Sequence, residues 1–475
     1  MSLARTTSQT DPHSAAAAGA GRLHVVTFGC QMNKYDSELV EGRFRRSGWT
    51  TTPDLAQADL VLFNTCSVRE HAEERVFSWL GELKRARATR PELVVGVMGC
   101  MAQRIEDEIG RRAGHVDLVV GTRAFQRLPE LVDELRERRA EGRSERISAL
   151  EMDARPDVSR LDQTWSGGRE GYLAVMRGCD LNCTFCIVPT VRGRVLSRPL
   201  TEVVDEARWM VEQGARVVTL LGQTVNSYGE DLPAPGPGES RGRGRQGRTG
   251  LADLLRALQE LEGLERVRLI TLHAAYVTEE LARAIGDCDK VERFLPLPAQ
   301  SGSDDVLRRM KRGYTTDLYR RRAELLREHV PDIELGSDWI VGFPGESEAD
   351  FAASEAFLAE QQFLVNYVFQ YDARPGTHAA ELADDVARET KKARNHALLR
   401  AGEASSLARH RAWLGRTLDV LVEAEHDKRP GRLRGRSLHG MSVSFPGDAA
   451  LVGSRVAVTA EDASPYGLAG RLESR

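Results

Sequence analysis

Between residues 22 and 150, short apolar runs alternate with stretches of helical pattern. Leu23–Phe28, Leu60–Phe63 and Leu93–Met98 read as strands, with helical patterns over Tyr35–Arg46 and Glu70–Ala88 between them. Strands alternating with helices predict a parallel, Rossmann-like α/β unit. A second series starts at Tyr172. Its predicted strands are Tyr172–Met176, Arg216–Leu221, Arg266–Leu272, Arg293–Leu297, Asp338–Val341 and Leu364–Phe369; its helical patterns include Leu200–Gln213, Leu251–Leu261 and Thr316–His329. Six strand–helix repeats predict a partial (β/α)6 barrel, open on one side. Sites in such barrels lie at the carboxyl ends of the strands. A long charged helix, Ala387–Trp413, leads to a final segment of different character. There, Thr417–Val422, Met441–Phe445 and Val456–Thr459 are short β runs separated by Gly and Pro, which predict a small antiparallel barrel. The expected organisation is a disordered tail (1–21), an α/β domain (22–150), a polar linker (151–170), a barrel with its connecting helix (171–412) and a C-terminal β-barrel (413–475). Pro233–Gly250, rich in Pro, Gly and Arg without periodicity, reads as a flexible surface insertion.

Composition narrows the class. The chain has 475 residues and 41% hydrophobic content, enough for several cores. Mean hydropathy is −0.39. No run approaches the ~18 consecutive apolar residues of a membrane helix. The N-terminus lacks the apolar core of a secretory signal, so no membrane partner is expected and a cytoplasmic location is. The net charge of −4 does not announce a nucleic-acid binder, so any RNA contact must come from a local basic patch.

The seven cysteines carry the chemistry, and six of them fall into two sets of three. That is metal arithmetic rather than disulfide arithmetic. Cys179, Cys183 and Cys186 stand at C-x3-C-x2-C spacing. Three thiolates this close can ligate three irons of one [4Fe–4S] cluster, leaving a fourth iron open to a substrate or cofactor. A structural zinc site would call for a fourth side-chain ligand. Cys30, Cys66 and Cys100 each follow one of the first three predicted strands. In an open parallel sheet ligand sites gather at those ends, so the three can converge despite their separation in sequence. Cys288 belongs to neither set and reads as structural. No G-x-G-x-x-G opens the first unit, which argues against a dinucleotide site.

The C-x3-C-x2-C loop resembles the radical S-adenosylmethionine (SAM) superfamily. In that superfamily the open iron chelates SAM, and one electron from the cluster cleaves the sulfonium to give a 5′-deoxyadenosyl radical. Thr27-Phe28-Gly29-Cys30-Gln31-Met32-Asn33-Lys34-Tyr35-Asp36-Ser37-Glu38, Asn64-Thr65-Cys66-Ser67-Val68-Arg69-Glu70 and Gly99-Cys100-Met101-Ala102-Gln103-Arg104 are similar to motifs of the methylthiotransferase family. They lie nearest the branch that acts on isopentenyladenosine in tRNA. The resemblance implies a second, auxiliary [4Fe–4S] cluster on Cys30, Cys66 and Cys100. It also implies a SAM pocket that includes Phe185, Gly222, Gln223, Ser301, Gly302, Ile340 and Gly342. The C-terminal barrel resembles the TRAM domain, an RNA-binding module, and Lys428, Arg429, Arg432, Arg434 and Arg436 crowd one predicted hairpin there. Such a patch can pair with RNA phosphates.

The activity implied is methylthiolation of carbon 2 of N6-isopentenyladenosine at position 37 of tRNA. It uses SAM both as methyl donor and as radical source, and it needs a reducing electron donor and a sulfur source. Two other outcomes stay open within these motifs: modification of threonylcarbamoyladenosine in tRNA or of a ribosomal-protein aspartate, and an iron–sulfur RNA-binding protein without sulfur insertion. Two places differ from the family pattern, Thr271-Leu272-His273-Ala274 and Pro296 within Leu295-Pro296-Leu297-Pro298.

Overall fold

The computed structural model describes residues 20–67, 70–152, 167–237 and 240–473. Nearly all of the expected tail, most of the expected linker, and Val68 and Arg69 of the second cysteine motif lie outside the described residues. The chain divides into two compact units, one holding residues up to 29 and 36–152, the other 30–35 and 167–473.

The first unit is built on strands β1 (Gly21–Thr27), β2 (Trp49–Thr51), β3 (Leu60–Thr65), β4 (Val94–Gly99), β5 (Leu118–Val120) and β6 (Ile147–Ala149). They form one sheet in the order β2-β1-β3-β4-β5-β6. Every pairing is parallel. Every residue of β3 and β4 is buried, which is why these strands read as unbroken apolar runs rather than as alternating ones. Val61, Phe63, Val95 and Val97 share a core with Val76, Leu80 and Leu83 of the helix Glu70–Thr89. The strands the sequence does not announce, β2, β5 and β6, are three residues long and too short to show a period. The first helix, Gln31–Arg46, starts ahead of its apolar pattern because the amides of Asn33 and Lys34 already bond to the Cys30 carbonyl.

The second unit contains the predicted barrel. β7 (Glu170–Ala174) is followed by a short ribbon of β8 (Met176–Arg177) and β9 (Leu196–Ser197). Then come β10 (Val217–Leu221), β11 (Arg266–Leu269), β12 (Phe294–Pro296), β13 (Glu334–Val341) and β14 (Val365–Gln370). Six of these strands form two parallel three-stranded sheets, β11-β10-β7 and β12-β13-β14, and a parallel bridge from Val267 to Val291 links them. The result is a six-stranded parallel barrel left open between β7 and β14. The β13–β14 register sets Asp338 opposite Tyr367 and Ile340 opposite Phe369. Trp339, of the other parity, packs on Phe357 of the outer helix Glu348–Gln361 and donates to Asn366 Oδ1 at 3.0 Å. Asp338, Ile340, Tyr367 and Phe369 therefore face the barrel interior.

Residues 240–250 correct the expectation of a flexible insertion. Gly242 N donates to Gly247 O at 2.7 Å and Gly244 N to Arg248 O at 2.8 Å. Arg243 pairs with Glu280 at 3.2 Å and Arg248 donates to Leu232 O. Of the segment's arginines, Arg243 and Arg248 are held by specific partners around a tight glycine turn.

The helix Arg388–Arg411 leads into a closed barrel of β15 (Thr417–Glu425), β16 (Arg432–Ser437), β17 (Ser442–Pro446), β18 (Arg455–Ser464) and β19 (Gly467–Leu472), ordered β15-β16-β17-β19-β18. All pairings are antiparallel except β17 with β19. Its attachment to the larger barrel combines apolar packing of Phe294, Leu364 and Val365 with a buried polar contact. The side chain of Arg266, 1% exposed, donates to the carbonyls of Arg436 and Asp419 and to Asp419 Oδ2. Burial pushes the Asp419 carboxyl up, but Arg455 and Arg266 outweigh it and hold the group below the ordinary carboxylate range.

Candidate metal centre

The loop carrying Cys179, Cys183 and Cys186 leaves β8 through Gly178. That residue has φ +76°, and a Cβ there would lie 2.1 Å from the Arg194 carbonyl oxygen, so only glycine fits. Backbone bonds then fix the loop at several points. Cys179 N donates to Gly193 O, Cys186 N to Cys183 O, and Thr184 N to Met310 O at 3.0 Å. Thr184 Oγ1 donates to Arg309 O, and the Thr184 carbonyl accepts from Ala379 N. The Asp180 carboxylate accepts from Val195 N at 3.1 Å. Three cysteines within eight residues are thereby presented from one anchored loop.

Their sulfurs are surrounded by polar groups. Cys179 Sγ lies 3.4 Å from Thr224 Oγ1 and accepts from Leu181 N at 3.4 Å. Cys183 Sγ accepts from Arg312 Nη1 at 3.3 Å. Burial pushes the Cys179 thiol up, and pushes the Cys186 thiol up to about 12. Neighbouring sulfurs add to both shifts. Thiols this reluctant to ionise alone become ligands when a cation takes the proton's place. Among the described residues no three His, Cys, Asp or Glu side chains form a group that would hold a single metal ion. A four-iron cluster spreads its thiolates over a wider frame and suits a soft sulfur set.

The other predicted SAM-site residues are spread over the strand ends. Phe185 and Ile340 pack on one small apolar cluster with Val306, Met310, Phe343, Tyr371 and Ala379. Gly222 follows β10 beneath the Met176 side chain. Gln223 Oε1 beside it is buried without a hydrogen-bond partner among the described residues, an acceptor left open at the strand end. Gly342 N donates to Glu346 Oε2 at 2.6 Å. Ser301 and Gly302 turn toward the outer helix instead, where Gly302 N donates to Ser354 Oγ at 2.9 Å and Ser301 Oγ lies 3.3 Å from it. Cys288 is buried in the barrel core at the end of the helix Glu279–Asp287.

In the first unit, Cys66 follows β3 and Cys100 opens the helix Cys100–Arg104 after β4, the neighbouring strand. Both are buried. At Gly99, φ is +97° and a Cβ would meet Asn64 Oδ1 and the Thr65 carbonyl at 2.7 Å, so glycine lets the two strand ends approach. Arg104 donates to Ser67 Oγ at 2.7 Å and pairs with Glu73, which accepts from Ser67 Oγ at 2.6 Å. That buried set ties the segment after Cys66 to the helix that begins with Cys100. Cys30, in the second unit, is exposed and donates to Asn33 Oδ1 at 3.2 Å.

The basic hairpin is less free than its sequence implies. Arg432 donates to Ser444 Oγ and to its carbonyl, Arg434 pairs with Asp427 at 3.2 Å, and Arg436 with Glu423 at 3.2 Å. Lys428, Arg429 and Arg434 are exposed, whereas Arg432 and Arg436 are half-buried. Sequence patterns do not single out Arg312 and Tyr367. Lys311-Arg312-Gly313-Tyr314 looks like an ordinary basic turn, and Tyr367 sits in a run whose parity only strand pairing fixes.

Anchored thiol loop, six-stranded open barrel and closed C-terminal barrel define a radical SAM enzyme with an appended TRAM domain. Residues 173–358 match the radical SAM superfamily, 411–472 the TRAM domain and 22–121 the family described as Uncharacterized protein family UPF0004. The chain is 39% identical to a tRNA-2-methylthio-N(6)-dimethylallyladenosine synthase of Rhodopirellula baltica, over 95% of both chains. It is 39% identical to a protein of that name from Syntrophotalea carbinolica, over 92% of this chain and 96% of the other. The chain belongs to the family of tRNA-2-methylthio-N(6)-dimethylallyladenosine synthases. In fold it is similar to the solved radical SAM methyltransferase TsrM from Kitasatospora setae, with a TM-score of 0.53 and 16% identity over 73% of this chain and 72% of that one. It is similar too to the cobalamin-dependent radical SAM enzyme OxsB, with a TM-score of 0.51 and 12% identity over 78% and 56%. Membership of the superfamily implies SAM and one [4Fe–4S] cluster, and the thiol loop fits that cluster. No helix among the described residues is long and apolar enough to cross a membrane.

Proposed function

We propose that this protein methylthiolates carbon 2 of N6-isopentenyladenosine at position 37 of tRNA. The observation that carries the reading is the anchored Cys179–Cys186 loop at the barrel's strand ends, in a chain whose relatives over nearly their full length carry that name. Cys179, Cys183 and Cys186 hold one [4Fe–4S] cluster, and Cys30, Cys66 and Cys100 hold a second. With SAM bound, the first supplies the radical that takes hydrogen from an unactivated C–H bond, and the second carries the sulfur. In the product a C–S bond replaces the C–H bond at carbon 2, the sulfur bearing a methyl group from a second SAM. A low-potential electron donor and a source to replenish the sulfur are required from outside the chain. Phe185, Gly222, Gln223, Ile340 and Gly342 contribute to holding SAM, while Ser301 and Gly302 support the pocket from behind through Ser354. Tyr367, 60% exposed although it faces the barrel interior, offers the adenine a stacking surface beside Phe369. A cytoplasmic location follows from the tRNA substrate.

The test is nucleoside mass spectrometry of tRNA from a deletion strain. Isopentenyladenosine should accumulate and its methylthio derivative vanish. An unchanged nucleoside profile would overturn the assignment.

The TRAM barrel contributes phosphate contacts, and the exposed cations decide which residues matter. Replacing Lys428 and Arg429 together by Ala should weaken tRNA binding and flatten its log–log salt dependence by about 0.7–0.9 for each phosphate no longer neutralised. Arg432→Ala should change the slope less, because its guanidinium is bound to Ser444. Filter binding across a salt series measures both.

A further inference from the structure

Arg312 is buried, with 7% of its surface exposed. Its Nε donates to the Tyr314 hydroxyl at 3.2 Å, its Nη2 reaches the Pro298 carbonyl at 3.5 Å, and its Nη1 donates to Cys183 Sγ at 3.3 Å. Tyr314 is itself held, donating to the carbonyls of Pro298 and Ala299 at 2.9 and 3.0 Å. The guanidinium is therefore fixed in orientation. Among the described residues no carboxylate forms an ion pair with it.

That combination is unusual on energetic grounds. A buried cation is expensive unless an anion compensates it. Other buried arginines of the same unit follow the rule: Arg394 pairs with Glu346 at 2.8 Å and Arg198 with Glu206 at 2.8 Å. Asp338 is the carboxyl that Arg312's field reaches, and burial pushes that group up while Arg312 opposes the shift. His273, whose ring lies edge-on to Tyr314 at 5.1 Å, is held down to about 2 by burial and by Arg312, so it stays neutral and supplies no second charge. Asp338 interacts with the guanidinium only through its field, and the anion in hydrogen-bonding contact with it is the sulfur of Cys183 once that is a ligand.

We propose that Arg312 is a positioning residue of the barrel cluster: it donates a charge-assisted hydrogen bond to the Cys183 sulfur and eases one-electron reduction of the cluster. The inference rests on the assignment of Cys183 as a cluster ligand. A one-electron, low-potential reductant adds an electron and the cluster gains one negative charge, with no bond made or broken. A fixed cation and N–H donor at a ligand sulfur stabilise the added charge, and hydrogen bonds to cluster sulfurs are among the determinants of potential. Without Arg312 the cluster should still assemble on its three cysteines but accept the electron at a more negative potential.

The experiment compares reconstituted full-length wild type with Arg312→Met, Arg312→Gln and Arg312→Lys, using Cys288→Ala as a control away from the site. Iron per chain is measured first, then the barrel cluster's reduction by EPR-monitored titration. The neutral variants should carry wild-type iron and show a reduced-to-oxidised ratio about tenfold lower at fixed potential, equivalent to ~59 mV for a one-electron couple. Arg312→Lys, which keeps charge but loses the fork, should fall between. A wild-type midpoint in an iron-loaded neutral variant would overturn the proposal. So would failure of both neutral variants to load iron while Cys288→Ala loads fully, because Arg312 would then be a folding residue. If Cys179, Cys183 and Cys186 changed together to Ala cost no iron, the ligand assignment itself would fall, and that result does not depend on Arg312.

Discussion

Changing Cys30, Cys66 and Cys100 together to Ala should remove about half of the iron from the reconstituted protein, leaving one four-iron cluster of two. The variant should still cleave SAM when reduced, because Cys179, Cys183 and Cys186 sit on a loop held by its own backbone bonds to Gly193, Met310 and Ala379. It should make no methylthio product. The reciprocal triple variant should lose SAM cleavage and keep the other half of the iron. The asymmetry has a structural basis. The barrel triad is local in sequence and is presented by one loop. Cys66 and Cys100 depend on Gly99 and on the Arg104–Glu73–Ser67 set to keep two strand ends together. Iron content, 5′-deoxyadenosine yield and modified-nucleoside yield are measured for each variant. Full iron and normal product in the N-terminal triple variant would make those cysteines structural and remove the assignment of a sulfur-carrying cluster to them.

Legibility in the sequence differs from element to element. All six barrel strands show there, because each carries apolar positions between Gly or polar turns and recurs in step with a helical pattern, even though β12 is three residues long and β11 holds two arginines. Thr316–His329 matches its helix end to end: Thr315 caps it by accepting from Leu318 N, and the burial pattern is clean. The cysteines are legible because thiolate chemistry leaves few other residue types to choose from. The basic hairpin is easily over-read. Charge in sequence does not show that Asp427 and Glu423, before and beside the run, pair with two of its arginines. Ser301 and Gly302 point to the pocket by their position after a strand, but a turn has two sides, and Ser354 on the outer helix takes theirs. Arg312 and Tyr367 are invisible for the opposite reason. Each is an ordinary residue whose meaning comes from the neighbour that long-range packing supplies.

The polar attachment of the C-terminal barrel is equally illegible, and it sets the largest expected loss of stability. Glu334, the first residue of β13, is 1% exposed. Its carboxylate accepts from Arg409 Nε and Nη2 at 2.9 and 2.8 Å and from Trp413 Nε1 at 2.7 Å. One buried acid thus ties a barrel strand to the last turns of the helix Arg388–Arg411 and to the tryptophan that follows it. The Trp413 ring lies tilted against that of His439, with centroids 4.1 Å apart, and His439 hydrogen-bonds Asp332 at 2.8 Å. Glu334→Ala would strand a partly buried guanidinium and an indole N–H, and removing one partner of a buried pair costs about 3–5 kcal/mol. Glu334→Gln keeps the volume and an acceptor for the indole, so it should lose clearly less. Urea unfolding of both variants measures the difference. The Ala variant's midpoint should fall while its iron content before denaturant matches wild type, because Glu334 lies at the opposite end of β13 from the strand end that carries Gly342. A Gln midpoint equal to wild type would mean that the ion pair with Arg409 contributes nothing beyond packing and a neutral acceptor for the indole.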